Sequence, residues 1–246
     1  MNVLLLRLAA PMQSWGTHSR FTERDTGREP TKSGVLGLVS AALGRGREVP
    51  PDDLATLRMG VRVDREGRLM RDYHTTGGGT WLGQPYGVAK ADGKPITWAN
   101  MAKATLPSNR YYLADAVFLA ALEGQDGGLL TRIDQALAAP VWPLFLGRKA
   151  FPPAEPVCLE GGLLSGETLE AALRNRPYLA AARPARREDP PERLRLVIEC
   201  RPGEPGEPRQ DVPLSFRSDA RDFGLRHVRE EWVALADLPK EAAPCS

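Results

Sequence analysis

Cysteine, histidine and long apolar runs are scarce in this sequence. The three cysteines are widely separated with no C-x-x-C pair, and the three histidines have no metal-ligand spacing. We therefore expect no disulfide framework, no metal site and no cofactor. No segment approaches the roughly 18 consecutive apolar residues of a membrane helix. The opening run, residues 3–8, is too short for a signal peptide and contains Arg7, so we expect a cytoplasmic protein without membrane contact.

Positive charge is unevenly distributed along the chain. The formal net charge is only +2, but residues 1–110 carry 16 Lys/Arg against 10 Asp/Glu. Residues 111–246 carry 17 against 21. The amino-terminal half is therefore where an anionic partner is expected, and the acidic half suits a protein neighbour or solvent.

Apolar periodicity indicates a mixed α+β chain. With a core-poor arm set aside, the order is strand, helix, strand, strand, helix, strand, which is typical of the ferredoxin-like or RRM-like fold with an open sheet face for ligands. Glu66-Gly67 is expected to join two strands as a hairpin. The segments are strands at residues 3–8, 58–65, 68–75, 111–122 and 141–146 and helices at 33–43 and 129–138.

Two composition changes divide the chain. Residues 76–109 have too few clustered apolar residues for a core, so we expect a protruding arm or a flexible insertion there. After Pro152, proline and glycine concentrate, with a short helix expected at 168–174 and strands at 195–200 and 231–235. We place a domain boundary near residue 152, giving a domain of residues 1–152 and a smaller β-rich domain of residues 153–246.

The stretch GREPTKSG, residues 27–34, is similar to a phosphate-binding loop but lacks its second glycine. Pro30 removes a backbone N–H donor and Glu29 would repel a phosphate. The helix start at Thr31, Lys32 and Ser33 still has the free N–H groups and positive dipole of an anion site. The alternative is that Thr31 or Ser33 only caps the helix while Lys32 faces solvent.

Aromatic and basic side chains alternate through the amino-terminal half, a combination typical of single-stranded nucleic-acid binding. His18 and His74, with Tyr73 and Lys32, could supply the acid and base of a metal-independent ribonuclease. The same histidines could instead stack on RNA or bond to local polar groups. Spacing leaves these alternatives open.

Several stretches, taken together, resemble a known family. RLAAPMQSWG, PTKSGVLGLVSAALG, RDYHT, PLFLGRKAFP and EEWV occur in order between about residues 3 and 235. In this combination the chain resembles the CasD-type subunit of CRISPR type I-E Cascade complexes, a RAMP-superfamily protein.

The resemblance implies an RRM-like domain with a thumb hairpin, corresponding to residues 76–109, and a smaller carboxy-terminal domain. It implies a non-catalytic subunit that holds the 5' handle of the CRISPR RNA (crRNA) and caps one end of an antiviral ribonucleoprotein. The implied partners are the large PAM-recognising subunit and the backbone subunit. In the related type I-C branch the corresponding subunit cleaves precursor RNA, so a metal-independent endoribonuclease is the alternative.

The resemblance also implies which residues bind RNA. Arg148 and Lys149 lie in its glycine-containing loop. His18, Arg20 and Arg24 are added from their charge and position between the first two motifs. The other implied RNA-binding residues are Gln13, Ser14, Trp15, Thr31, Lys32, Ser33, His74 and Thr75.

Overall fold

A computed structural model describes residues 1–17, 22–76, 79–81, 84–86, 106–180 and 190–240. They form a mixed α+β structure with mostly antiparallel sheets. No helix in these ranges has the length and apolar content to cross a membrane. The strands are β1 (Asn2–Ala9), β2 (Met12–Gln13), β3 (Glu23–Arg24), β4 (Arg58–Arg65), β5 (Arg68–Thr76), β6 (Gly79–Trp81), β7 (Gln84–Tyr86), β8 (Leu106–Ala114), β9 (Val117–Gly124), β10 (Cys158–Ser165), β11 (Arg193–Glu199), β12 (Glu207–Ser215) and β13 (Asp222–Ala234), and the helices are α1 (Lys32–Ala42), α2 (Asp52–Ala55), α3 (Gly127–Ala138) and α4 (Leu169–Arg174).

The main sheet has seven strands in the order β10-β1-β9-β4-β11-β13-β12, with every neighbouring pair antiparallel. Because side chains alternate along a strand, Leu4 and Leu6 of β1 pack with α1 and α3, whereas Val3 and Leu5 pack with α4 on the other face. The expectation of an open sheet face is therefore wrong for the central strands. Their continuous apolar sequence matches burial on both faces.

Most expected elements are confirmed within one or two residues at each end. The expected strands at 3–8, 58–65 and 68–75 are β1, β4 and β5, and the helices at 33–43, 129–138 and 168–174 are α1, α3 and α4. The hairpin pairing is wrong, because β4 pairs with β9 and β11, whereas β5 pairs with β8.

A paired bend explains that error. Gly67 and Asp115 lie opposite each other between the two sheets, with φ of 72° and 59°. A Cβ at Gly67 would lie 2.7 Å from the carbonyl oxygen of Ala114, so only glycine fits there. The strand expected at 111–122 is consequently two strands, β8 and β9. The ladder that β9 forms with β4 continues past the bend as β8 with β5, in a second sheet that also contains β2 and β3.

The prediction of a strand at 141–146 is wrong, because these residues form a loop. Pro140, just before it, and Pro143, within it, have no N–H to donate to a neighbouring strand. The edge beside β1 is occupied instead by β10. The main sheet therefore takes strands from both sides of residue 152 without a break in hydrogen bonding, and the two-domain division stays a prediction. Of the expected arm, 77–78, 82–83 and 87–105 lie outside the described residues.

Candidate nucleic-acid interface

The glycine loop, residues 146–151, is fixed by backbone hydrogen bonds. Leu146 N–H donates to the carbonyl of Phe151 at 2.8 Å, and Phe151 N–H donates to that of Arg148 at 2.9 Å. Gly147 has a φ of 91°, and a Cβ there would lie 1.6 Å from the carbonyl oxygen of Ser14. Only glycine allows this approach. The loop therefore presents Arg148 and Lys149 from a rigid position against the amino-terminal segment.

Three arginines converge beside this loop, and we call Arg24, Arg110 and Arg148 the arginine cluster. Arg148 Nη2 donates to the carbonyl of Arg24 at 2.9 Å, and Arg24 is the register partner of Arg110. Burial, followed by the charges of Arg110 and Arg24, lowers the pKa of the Arg148 guanidinium. Asp25 and Asp72 only partly offset this repulsion. Such a cluster is stabilised by an anion, above all a phosphate that accepts forked hydrogen bonds.

A groove of about 930 Å³ begins at this cluster and follows α1 from Ser33 to Ala41. Its floor is partly backbone, because Gly34 and Gly37 line it. Cations and rings together are the chemistry that grips single-stranded nucleic acid. Its lining includes the carboxylate Asp25 and the cations Arg24, Arg45, Arg47, Arg148, Lys149 and Arg221, of which Arg45 is already paired with Asp53. The aromatic residues in the lining are Trp142, Phe145, Phe216 and Phe223, with the buried Trp15 beneath them.

The start of α1 is already occupied by the protein's own carboxylates. The backbone N–H of Lys32 donates to Asp211 Oδ2 at 2.7 Å, and its Nζ lies 2.9 Å from Glu199 Oε1. Arg226 completes this internal ionic cluster with bonds to both carboxylates. Lys32 is 2% exposed, and burial lowers the pKa of its ammonium group.

The prediction that Lys32 binds a phosphate is therefore wrong for this structure, since Asp211 fills the anion position. Thr31 is the cap, with its Oγ1 accepting from Gly34 N–H at 3.2 Å. The alternative prediction that Thr31 or Ser33 caps the helix is thus confirmed for Thr31. Its second part, that Lys32 faces solvent, is wrong, because Lys32 is buried.

The PMQSWG motif also acts inside the protein. Gln13 is buried; its Nε2 donates to the carbonyls of Leu8 and Ala116, and its Oε1 accepts from Trp15 Nε1 at 3.2 Å. Ser14 Oγ donates to the carbonyl of Tyr111 at 3.2 Å. These side chains underlie the groove but are bonded inward, so the prediction that they contact RNA directly is replaced by a supporting role.

The remaining predicted residues divide by position. Arg24, Ser33, Arg148 and Lys149 line the groove. Asp72 of β5 is the register partner of Arg110, and His74 projects from the same face of β5 as Asp72. His74 therefore lies beside the arginine cluster. Thr75 is on the opposite face. His18 and Arg20 lie outside the described residues.

The proposed acid–base set does not assemble among the described residues. His74 and Tyr73 project from opposite faces of β5, and Lys32 is buried in its ion pair. His74 is 43% exposed, with Nδ1 at 3.7 Å from Asp72 Oδ2. In the described ranges no group of three or more His, Cys, Asp or Glu is placed to hold a metal.

Sequence reasoning missed one residue of the arginine cluster and several residues of the groove. Arg110 could have been found, because the alternation of β8 places it on one face with Ser108 and Tyr112. Trp142, Phe216, Arg221 and Phe223 carry no local signal, since only the fold brings these segments to α1.

Fold and groove together define a nucleic-acid-binding α+β protein. A family model described as CRISPR-associated protein (Cas_Cas5) matches residues 3–229, and the chain belongs to that family. It is 32% identical over 191 residues to the CRISPR system Cascade subunit CasD of Escherichia coli (strain K12), covering 71% of this chain and 77% of the relative.

Two solved structures are similar over nearly the whole chain. One, described as a crystal structure of Cas protein, has 40% identity and a TM-score of 0.71, covering 97% of this chain and 98% of the other. The second belongs to a CRISPR RNA-guided surveillance complex, with 36% identity and a TM-score of 0.75, covering 98% of this chain and 95% of the other.

Proposed function

We propose that this chain is a crRNA-binding subunit of a type I-E Cascade complex, which grips the 5' handle and caps one end of the assembly. The observation that carries the proposal is the arginine cluster, three cations beside a rigid glycine loop whose charge Asp25 and Asp72 offset only in part. The names of the relatives, a Cascade subunit and a surveillance complex, support the same role.

In this proposal a handle phosphate binds the arginine cluster. Arg148 and Arg110 supply the guanidinium forks, Lys149 adds a mobile ammonium, and Ser33 donates from the groove floor. His74 contacts a base or sugar next to the cluster, Thr75 contacts RNA only from the opposite face of β5, and His18 and Arg20 stay proposed RNA contacts. Each phosphate contact contributes affinity that falls as salt rises.

The finer architecture is part of the proposal. We assign β10, β1, β9 and β4 with α1 and α3 to a ferredoxin-like unit, because their order and connections follow that pattern. Residues 76–109 are assigned to the thumb. The part of residues 153–246 that follows β10 is assigned to a second domain, whose strands β11, β13 and β12 extend the same sheet. The large PAM-recognising subunit and the backbone subunit are the proposed protein partners, in the cytoplasm.

The subunit is proposed to bind RNA without cleaving it. The test is incubation of the purified chain with labelled repeat RNA in EDTA, followed by product analysis on a denaturing gel. Intact RNA that is retained by the protein is the expected result. Specific cleavage that disappears in His74→Ala would establish the endoribonuclease alternative instead.

RNA binding by the cluster is tested with a matched pair of arginine variants. Arg148→Ala is expected to lower the slope of log affinity against log salt by about 0.7. Arg132→Ala, on the exposed side of α3 and outside the groove lining, is expected to leave the slope unchanged. Equal slopes in both variants and the wild type would contradict the proposed site.

A further inference from the structure

The groove continues well beyond the arginine cluster, and its far half has a different chemistry. We define the far half as Gly37, Trp142, Phe216, Arg221 and Phe223. Trp142 is 44% exposed, and both phenylalanines are half-buried and line the groove. Arg221 is exposed and has no ion pair with a described residue. Accessible rings beside an unpaired cation are suited to a nucleotide, since a base stacks on rings while its phosphate binds the cation.

The floor of the far half is open by comparison with the first turn of α1. A Cβ at Gly34 would lie 2.8 Å from Trp15 Cε3, so the protein's own packing requires that glycine. A Cβ at Gly37 would meet nothing closer than the Phe216 ring at 3.9 Å. The Phe216 ring thus lies over Gly37 at ordinary van der Waals distance, and this part of the floor is less crowded than the first turn.

The internal ionic cluster holds the far wall in place. Phe216, Arg221 and Phe223 belong to the end of the β12–β13 hairpin. This hairpin is bonded to α1 through Asp211, which accepts from Lys32 N–H and is held by Arg226. On the other side, the backbone N–H of Trp142 donates to the carbonyl of Ala41 at 3.3 Å, which holds the Trp142 backbone beside the end of α1. Both walls are therefore positioned before any ligand binds, which lowers the entropy cost of binding.

We propose that the far half is a second RNA subsite, in which an unpaired base of the bound strand stacks on the Phe216, Phe223 or Trp142 rings and its phosphate contacts Arg221. This rests on the proposed function, because the strand would enter from the arginine cluster. Two features favour RNA as the occupant: the far half is continuous with the arginine cluster, and its free charge is positive. The subsite would make the carboxy-terminal hairpin part of RNA recognition.

The test uses the full chain and its own repeat's 5' handle RNA, carrying 2-aminopurine at one position at a time. Stacking on an aromatic ring quenches this fluorophore, so the wild type is expected to quench it at one or more positions. The double variant Phe216→Leu/Phe223→Leu keeps apolar bulk but removes both rings. It is expected to restore fluorescence at that position and to weaken binding by about fivefold or more. Arg221→Ala, an exposed change that spares the fold, is expected to reduce the salt slope by about 0.7.

The outcomes separate this inference from the proposed function. The subsite is wrong if neither the double variant, nor Trp142→Leu, nor Arg221→Ala alters quenching, affinity or salt slope while Arg148→Ala still weakens binding. If Arg148→Ala also changes nothing, the proposed function itself fails. Loss of quenching at a defined position in the ring variants, with Arg132→Ala unchanged, supports the subsite.

Discussion

Two basic regions flank the start of α1, and they differ in how their charge is balanced. The internal ionic cluster places Lys32 and Arg226 against Glu199 and Asp211, all largely buried. The arginine cluster places three guanidinium groups together, with Asp25 and Asp72 as partial counter-charges. The first region is closed to an external anion, and the second is open to one. Basic residues mark a binding site only where the protein has not neutralised them itself.

The largest expected effect comes from removing a carboxylate of the internal ionic cluster. Glu199→Gln leaves Lys32 and Arg226 short of negative charge, and breaking a buried ion pair costs about 3 kcal/mol or more. Equilibrium urea unfolding should show this loss, whereas the slope of log RNA affinity against log salt should stay unchanged for the folded protein, because Lys32 contacts no phosphate. A stable Glu199→Gln variant with a reduced salt slope would erase the distinction between the two regions.

Arg110→Ala is expected to do the opposite of Glu199→Gln, weakening RNA binding without destabilising the fold. A charge-assisted hydrogen bond contributes about 1.5–3 kcal/mol, so RNA affinity should fall by roughly tenfold or more. The free energy of unfolding should stay the same or rise, because a repulsive charge beside Arg148 is removed. Filter binding and urea unfolding on the same preparation would check both halves. Marked destabilisation would show that the cluster is structural.

Two alanine substitutions on the groove side of α1 sharpen the comparison between a tightly packed position and a less crowded one. Gly34→Ala should destabilise the protein by about 1–3 kcal/mol, because the added methyl overlaps Trp15 and Thr31. Gly37→Ala should stabilise it by up to about 1 kcal/mol through helix propensity. Thermal unfolding of the pair measures the difference. Equal destabilisation by both would mean that the groove floor is not open.

The smallest expected effect concerns acid stability on the opposite sheet face. Burial alone raises the pKa of Glu170, but hydrogen bonds from Arg58 and Arg229 outweigh it and lower the pKa to about 2 from 4.5. Since the folded-state pKa is depressed, this stabilisation is present above pH 4.5 and is lost as the pH falls toward 2. Glu170→Gln should flatten the pH dependence of unfolding in that window. An unchanged acid limb would mean that these ion pairs do not stabilise the fold.

Much of the fold could be predicted because its signals are local. The apolar run of β1, the period of α1 and α3, and the cap at Thr168 depend on neighbouring residues alone. Strand pairing could not be predicted so well. The bend at Gly67 and Asp115 sends β5 to β8 instead of β4, and the strand beside β1 comes from residues 158–165, beyond a proline-rich loop.

The part of the candidate site that could be predicted from the sequence is the glycine loop, because its motif folds as one rigid local unit. The glycine loop presents Arg148 and Lys149 as expected, and Arg24 lies against it. The motif at α1 was misleading, because the carboxylates that neutralise Lys32 lie 167 and 179 residues away in the sequence. No local pattern reports such partners, so burial and pairing decide which cations remain available.

The most direct measurement is the salt dependence of handle-RNA binding for Lys32→Met and Arg148→Met. Each change removes one positive charge and keeps a long apolar side chain. We expect the slope of log affinity against log salt to fall by about 0.7 for Arg148→Met and to match the wild type for Lys32→Met. A reduced slope for Lys32→Met with an unchanged slope for Arg148→Met would contradict the account, because it would place the phosphate at the start of α1.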